Sequence, residues 1–263
     1  MTWPASLTQR RLLALATIAF VVGVVEFLPA HLFEERINLA LPPPWHLTMS
    51  GSVWDGFGVL QAGQASAAFS VPLTWTFEPL ALARLRATWN IVPASPALAG
   101  SVKIGAGWQS AEIRDAALTM DAAVLQQAIP IIALFAPSGS VFVSTPRDSA
   151  LILRYGSDFR LNGEAHIKAD NFGLRPYGPL PLGNYQLKFT ARDTIVDYVI
   201  TQSSGALKLD GGGSIQTAAP RQIAYSGYIT PSATLPDSVL SPLKAIGQPA
   251  ADGRLRIDWT ARW

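Results

Sequence analysis

Short stretches in which polar and apolar residues alternate fill most of this sequence. Alternation with a period of two places apolar side chains on one face of a β-strand and polar side chains on the other. Clear examples are QLKFTA at Gln186–Ala191, SGALKLD at Ser204–Asp210 and GRLRIDWTARW at Gly253–Trp263. The pattern predicts an antiparallel sheet of about 10–14 strands. The other alternating stretches are Ile195–Thr201, Gln222–Thr230, His46–Trp54, Phe57–Gln64, Val71–Phe77, Thr88–Val92 and Val102–Trp108.

Turn-forming residues separate these stretches, and helical patterns are scarce. We expect turns or bends at Gly211–Gly213 and Gly183–Asn184. The chain is therefore predicted to be mainly β, with one antiparallel domain over residues 45–263 that forms a curved sheet, a sandwich or a partly open barrel. Two or three short helices are expected, at Glu78–Leu85, Ala122–Ile129 and Asp237–Ile246, the last of them broken or restarted at Pro242.

An apolar run, LLALATIAFVVGVVEFLPAHL, precedes the predicted sheet at Leu12–Leu32. Its helical length would be about 31 Å, enough to cross a hydrocarbon core. Its Leu, Ile, Val and Phe residues contribute about −5 kcal/mol to insertion, whereas Glu26 costs about 2–3 kcal/mol. The run therefore predicts one transmembrane helix, with Leu12, Ile18, Phe20 and Val25 in the membrane anchor.

Charges on the two sides of this run predict its orientation. Arg10 and Arg11 precede it, whereas Glu34 and Glu35 follow it. By the positive-inside rule, residues 1–11 are cytoplasmic, 33–44 form a connection and 45–263 are periplasmic, which gives a single-pass protein of the inner membrane. A cleavable signal peptide is the alternative, but it requires small residues before the cut, and Leu28 fits that requirement poorly. Glu26 is expected near the outer interface, with a partner helix as the alternative.

Composition excludes several classes of protein. Apolar residues make up 49% of the chain and charged residues 14%, which excludes intrinsic disorder. Twenty basic and 18 acidic residues leave a net charge of +2, so the pI of about 9.0 does not predict a nucleic acid partner. The absence of cysteine excludes disulfides, thiolate metal sites and cysteine nucleophiles.

Motifs that carry catalysis are also missing from the sequence. The three histidines lie far apart, and there is neither a G-x-S-x-G elbow nor a GxxxxGK[ST] phosphate loop. Glu112, Asp115 and Asp121 alternate with apolar residues, so we expect them on a solvated strand face. The tryptophans are expected to pack as half-buried rings of the sheet. We therefore predict no enzymatic activity, no catalytic residues, no metal and no cofactor.

The order of the motifs resembles protein N of the bacterial type II secretion system (general secretion pathway protein N). The resemblance is carried most by Leu47–Gly56 (LTMSGSVWDG), a hairpin motif that follows the apolar run. Four more segments resemble the family's later motifs in the same order: Leu73–Leu80, Leu125–Val143, Pro179–Ile215 and the pair Leu240–Gly247 with Gly253–Trp259.

The resemblance implies a non-enzymatic component of the secretion machinery in the inner membrane of a Gram-negative cell. Its partners would be other inner-membrane subunits or the secretin, besides the bilayer itself. We take Trp54 and Asp55 as the candidate hairpin for partner contact. A sheet with little charge to guard its strand edges can also add a partner strand there.

A lipid-binding or lipid-transfer domain is the second hypothesis. A long curved antiparallel sheet can carry an apolar groove that shields lipid tails. Alternating strands rich in apolar and aromatic residues are consistent with such a groove and with a closed core. The sequence leaves both hypotheses open.

Overall fold

The structure, a computed structural model, describes residues 12, 14–17, 20, 23, 26–41, 45–62, 69–84, 86–107, 110–124, 136–154, 160–174, 180–218 and 221–262. Near the N-terminus, a 3₁₀ helix (Ala30–Phe33) leads into helix α1 (Glu34–Ala40), and a second 3₁₀ helix spans Pro79–Arg84. Helix α2 (Asp237–Ile246) lies near the C-terminus. The strands are β1 (Trp45–Gly51), β2 (Asp55–Ala62), β3 (Phe69–Phe77), β4 (Ala87–Pro93), β5 (Leu98–Ala106), β6 (Ser110–Asp121), β7 (Pro137–Ser144), β8 (Leu151–Arg154), β9 (Arg160–Leu174), β10 (Leu180–Asp193), β11 (Ile195–Ser204), β12 (Leu207–Gln216), β13 (Gln222–Pro231), β14 (Gln248–Pro249) and β15 (Leu255–Arg262).

All described strands join one antiparallel sheet. Its order follows the chain from β1 to β7, continues with β9 to β13, and ends with β15 and then β14. Strands β7 and β8 share one place between β6 and β9, because β7 pairs with one half of each neighbour and β8 with the other half. The prediction of a mainly β, antiparallel chain is confirmed, and every alternating stretch named above contributes to a strand.

Strand β9 was missed by the sequence patterns. The residues on its apolar face include Ala165 and Ala169, which are too small to produce a strong alternation. The strand nevertheless forms the longest ladder of the sheet, because it pairs with β10 from Leu161 to Leu174. Tertiary pairing therefore extends it where local hydrophobicity is weak.

The main core lies against the C-terminal half of the sheet. Leu240 and Leu243 of α2 pack on a cluster that includes Leu255 and Ile257 of β15 and Tyr185 of β10. The two leucines are three residues apart, so they share one face of the helix. Both leucines are partly buried, so each contributes less than the roughly 1.5–3 kcal/mol of a fully buried leucine. Helix α2 therefore fixes the C-terminal strands to the rest of the core.

The predicted turns at glycine were wrong. Gly211–Gly213 lies inside β12, and Gly183–Asn184 lies inside β10 at a shift of register. A Cβ on Gly213 would lie 1.9 Å from the Ala224 carbonyl oxygen and 2.7 Å from the Tyr198 hydroxyl. Glycine is thus required there for close strand approach and for the tyrosine ring that crosses the strand, not for chain reversal.

Two of the predicted helices differ in detail from the expectation. The segment predicted at Glu78–Leu85 is a 3₁₀ helix whose Ala81 N–H donates to the Glu78 carbonyl at 3.0 Å. Helix α2 continues through Pro242 without a break. Proline removes a single intrahelical bond there, and the packing of the leucine face outweighs that loss. Of Ala122–Ile129, only residues 122–124 are described, and they are helical.

The predicted membrane anchor is described in part. Residues 12, 14–17, 20, 23 and 26 are helical, and Leu12 and Phe20 expose 61% and 72% of their surface. Ile18 and Val25 lie outside the described residues. Within the part of the chain that is described, no helix reaches the length and hydropathy needed to cross a bilayer. Leu28 and Pro29 are not helical, and the expected connection at 33–44 contains α1.

Candidate interaction site

The turn between β1 and β2, residues 51–55, is held by Ser52. Its hydroxyl donates to the Asp55 carbonyl at 3.1 Å and accepts the backbone N–H of Asp55 at 3.0 Å and of Trp54 at 3.3 Å. Gly51 enters the turn with φ 89°, a left-handed conformation that favours glycine. The serine and glycine of the SGSVWDG motif therefore act as turn-forming residues.

Two tryptophans from the following strands bind the same turn. The Trp75 indole donates to the Ser52 carbonyl at 3.1 Å, and the Trp89 indole donates to the Val53 carbonyl at 2.8 Å. The Trp75 ring needs the glycines of β2, because a Cβ on Gly56 would lie 2.4 Å from the ring. Each indole bond contributes about 1 kcal/mol, so the turn has one well-defined conformation.

The predicted contact residues Trp54 and Asp55 differ in their surroundings. Trp54 is half-buried and packs edge-to-face on Phe77 at a centroid distance of 4.6 Å. Its carbonyl accepts the Phe77 N–H at 2.6 Å. Asp55 is exposed. Trp54 therefore anchors the turn, whereas Asp55 presents its carboxylate to the surroundings.

Phe57, which sequence reasoning missed, is the large apolar residue exposed beside Asp55. It is 61% exposed and lies on the same face of β2, since the two residues are two positions apart. Its cross-strand neighbours are Ser50 and Thr74. The signal in the sequence is Gly-Phe-Gly, because the glycines on either side face Trp75 and leave Phe57 on the opposite face. Aromatic side chains are enriched among the residues that carry binding energy at interfaces, so Phe57 is a candidate contact residue.

The N-terminal segment contacts this hairpin directly. The Val53 N–H donates to the Leu28 carbonyl at 2.9 Å, and Pro29 forms a β-bridge with Ser52. The hairpin is therefore positioned where the apolar run ends.

Helix α1 covers the outer edge of β1. The Asn38 side chain accepts the Leu47 N–H at 2.7 Å and donates to the Leu47 carbonyl at 2.9 Å. The Glu34 carboxylate accepts the Met49 N–H at 2.9 Å. These side chains occupy the positions that a neighbouring strand would take. This edge is therefore closed to strand addition between Leu47 and Met49.

The opposite edge of the sheet is covered for a much shorter distance. Strand β14 pairs only with Leu255 and Arg256 of β15. Among the described strands, none pairs with the outer side of β15 beyond Arg256. Trp259 on this part of the strand is 51% exposed.

The carboxylates of β6 do not all lie on a solvated face, as had been expected. Glu112 is buried, and its carboxylate forms ion pairs with Arg86 and Arg114. Asp115 lies 3.4 Å from the Lys103 ammonium, whose hydrogen bond to Glu78 raises the pKa of Lys103 above its ordinary value. The expectation was wrong for Glu112 because Arg86 from outside β6, together with Arg114 of the same strand, compensates its burial.

Titratable groups give no metal or catalytic cluster in the described part of the chain. His31, Glu34, Glu35 and His46 line an open cleft between α1 and β1, yet no three acidic or histidine side chains among the described residues are placed to hold a metal ion. Burial raises the pKa of Tyr185 to about 12, and its hydroxyl donates to the Leu207 carbonyl at 2.7 Å. The Tyr185 hydroxyl therefore has a structural role between β10 and β12.

The described residues define an antiparallel β-sheet protein whose polar side chains hold its turns and one strand edge. The chain belongs to the family of type II secretion system (T2SS) protein N, whose family model matches residues 45–258. It is also similar to the type II secretion system protein N of Aeromonas hydrophila, with 32% identity over 87 residues. That match covers 33% of this chain and 34% of the relative, so the chain spans about a third of the length of the relative that it matches. No solved structure matches.

Proposed function

We propose that this chain is a non-enzymatic component of the type II secretion machinery that contacts other subunits through the face of the β1–β2 hairpin. Membership of the family supports a place in the secretion machinery. The observation that carries the contact site is Phe57, exposed beside Asp55 on a hairpin that two indoles hold rigid. A preorganised site loses little conformational entropy on binding, so a small surface suffices for specific contact.

We further propose that Leu12–Leu32 anchors the chain in the inner membrane, with residues 1–11 in the cytoplasm and 45–263 in the periplasm. The apolar sequence of the run and the basic residues before it support this orientation. The hairpin would then lie near the bilayer, because Leu28 and Pro29 bond to it. Its partner would be another membrane-anchored subunit or a part of the secretin close to the membrane.

Substitution of Phe57 tests the contact site. Phe57→Ala is expected to weaken binding to the partner by roughly thirtyfold and to lower secretion of substrate proteins accordingly, since an aromatic anchor at an interface contributes about 2 kcal/mol to binding. Val199→Ala, which shortens another exposed apolar side chain on a strand, is the matched control and should leave secretion unchanged. Equal secretion by both variants, at equal protein levels, would contradict the assignment of Phe57.

Crosslinking identifies the partner. A photoreactive amino acid at Asp55 should trap another secretion subunit in intact cells, whereas the same group at exposed Thr201 should not. Capture of the same proteins from Asp55 and from Thr201 would argue against a specific hairpin contact.

Reporter fusions after residues 11 and 44 test the topology. Periplasmic activity is expected only for the second fusion.

A lipid-binding domain remains the second candidate, and the packing of the core favours it. Among the described residues that are less than 2% exposed, those with the largest side chains are Val71 and Pro137. Many apolar residues of the main cluster, including Phe172 and Leu187, are only partly buried. Such a surface leaves apolar area for a lipid tail. Mass spectrometry of the purified chain should then find bound lipid at near-stoichiometric amounts, and its absence would reject this function.

A further inference from the structure

The part of β15 that no described strand covers on its outer side, Asp258–Arg262, presents main-chain groups outward. The Ala250 N–H donates to the Arg254 carbonyl at 2.8 Å on the β14 side of the strand. In an antiparallel ladder, every second residue directs both its N–H and its carbonyl to the same side. The outward residues are therefore Asp258, Thr260 and Arg262, which no described strand covers.

The side chains of these three residues form a self-complementary row. All three are exposed, with an acidic residue at one end, a neutral threonine in the middle and a basic residue at the other. Asp258 already accepts hydrogen bonds from Ser226 at 2.6 Å and Arg256 at 2.8 Å, so the carboxylate is fixed on this face. A row that carries opposite charges around a neutral centre complements its own copy after a two-fold rotation.

We propose that Asp258–Arg262 pairs antiparallel with the same strand of a second copy of this chain, across a two-fold axis at Thr260. Asp258 of each copy lies opposite Arg262 of the other, and the two Thr260 residues face each other. The three outward residues of each strand then exchange main-chain hydrogen bonds across the axis. A two-fold axis at Asp258 or at Arg262 would instead place like charges directly opposite, which is unfavourable.

The same register covers the exposed tryptophan. Trp259 and Ala261 lie on the opposite face of β15 from the charged row. In the proposed pair, Trp259 of one copy lies against Ala261 of the other, a small residue that leaves space for the indole. Trp259 is 51% exposed in the single chain, so pairing removes apolar surface as well as satisfying the strand edge.

Charge reversal in the full chain, purified in detergent, tests the register. Asp258→Lys places lysine opposite arginine, and Arg262→Glu places glutamate opposite aspartate, so each variant should dimerise at least about tenfold more weakly than the parent. Mixing the two variants should restore dimers, because every opposed pair in the mixed dimer is then attractive. Sedimentation measures the parent, the two single variants and their mixture. Equal dimerisation of the parent and the single variants, or no recovery on mixing, would overturn the register.

Cysteine crosslinking in membranes tests the two-fold axis independently. The chain has no cysteine, so Thr260→Cys introduces a single thiol. Opposed residues in such a pair have Cα atoms about 5.5 Å apart, within disulfide range. Oxidation should give a covalent dimer of this chain, whereas Thr119→Cys, on the interior strand β6, should not. A monomer after oxidation, equal crosslinking of both variants or a disulfide to a different protein would overturn the proposal.

Discussion

The two edges of this sheet differ in whether other groups bind their outward main-chain N–H and carbonyl groups. Along β1, Asn38 and Glu34 of helix α1 bind the main-chain groups that a neighbouring strand would use. Along β15, the two-residue strand β14 covers only Leu255 and Arg256, and the outward groups beyond them have no described strand beside them. Strand β1 is one end of the sheet, and β15 is at the other end beyond the short β14. Both strands alternate similarly in sequence.

Among the described residues, the difference leaves the edge at β15, and not the edge at β1 between Leu47 and Met49, open to strand addition. An unpaired edge favours association, and proteins commonly block edges that are not used. A helix whose side chains imitate a strand closes the edge near the hairpin, so the contact proposed there uses the face of β2 and the side chain of Phe57. The edge at β15 remains available for main-chain pairing. Three predictions examine this comparison, with the largest effect first.

Tyr185 lies on β10, inside the strand order of the sheet, and gives the reference for interior stability. Burial raises its pKa from 10.0 to about 12. Because the folded chain holds the proton more tightly than the unfolded chain, the stabilisation is complete below about pH 10 and is lost as the pH rises towards 12. The loss amounts to about 2–3 kcal/mol. Guanidinium unfolding followed by tryptophan fluorescence should show it in the parent chain.

Tyr185→Phe should remove most of this alkaline loss. Burial also raises the pKa of Tyr198, which is less buried, so Tyr198→Phe should remove a smaller part. An unchanged pH dependence in Tyr185→Phe would show that the interior does not stabilise the neutral phenol.

Asn38→Leu should destabilise the covered edge by about 2 kcal/mol, because it leaves the half-buried N–H and carbonyl of Leu47 without their partners. Hydrogen exchange at the Leu47 amide should accelerate correspondingly. Asn38→Asp is the control, because it keeps an acceptor for the Leu47 N–H but loses the donor to the Leu47 carbonyl. Its stability and its exchange rate at Leu47 should lie between those of the parent and those of Asn38→Leu. If Asn38→Leu equals the parent in both measurements, the helix does not close this edge.

Thr260→Pro should change the stability of the dilute chain by less than about 1 kcal/mol, since proline is tolerated where an edge N–H faces outward. Leu47→Pro, at the covered edge, removes a donor that Asn38 accepts and should cost about 1–3 kcal/mol. The free energies of unfolding of both variants, measured at low protein concentration, are compared with that of the parent. Equal costs would mean that the two edges are equivalent.

Local patterns were sufficient for most strands but not for glycines and charges. Alternation predicted β10, β13 and β15 because large apolar residues mark one face of each. Gly211–Gly213 was misread as a turn, since a glycine needed for close strand approach has the same local signature as one needed for chain reversal. Glu112 was misread as solvated, because its partner Arg86 is remote in sequence.

The sequence predicted where the hairpin lies but not how its side chains are arranged. The SGSVWDG motif marks the turn between β1 and β2, and Asp55 is exposed. The exchange of roles between Trp54 and Phe57 depends on Phe77 and Trp75, which belong to the next strand. A single sequence does not show which of two nearby aromatic rings a remote side chain covers.

The sequence by itself determined the antiparallel β class, the positions of most strands and the hairpin after the apolar run, because each of these depends on local alternation and turn chemistry. Only the tertiary structure decided which edge is closed. Asn38 and Leu47 are nine positions apart, and their hydrogen bonds exist only because α1 packs beside β1. The open edge likewise follows from where β14 begins, because the chain before Gln248 is helix α2 and does not pair with β15 beyond Arg256.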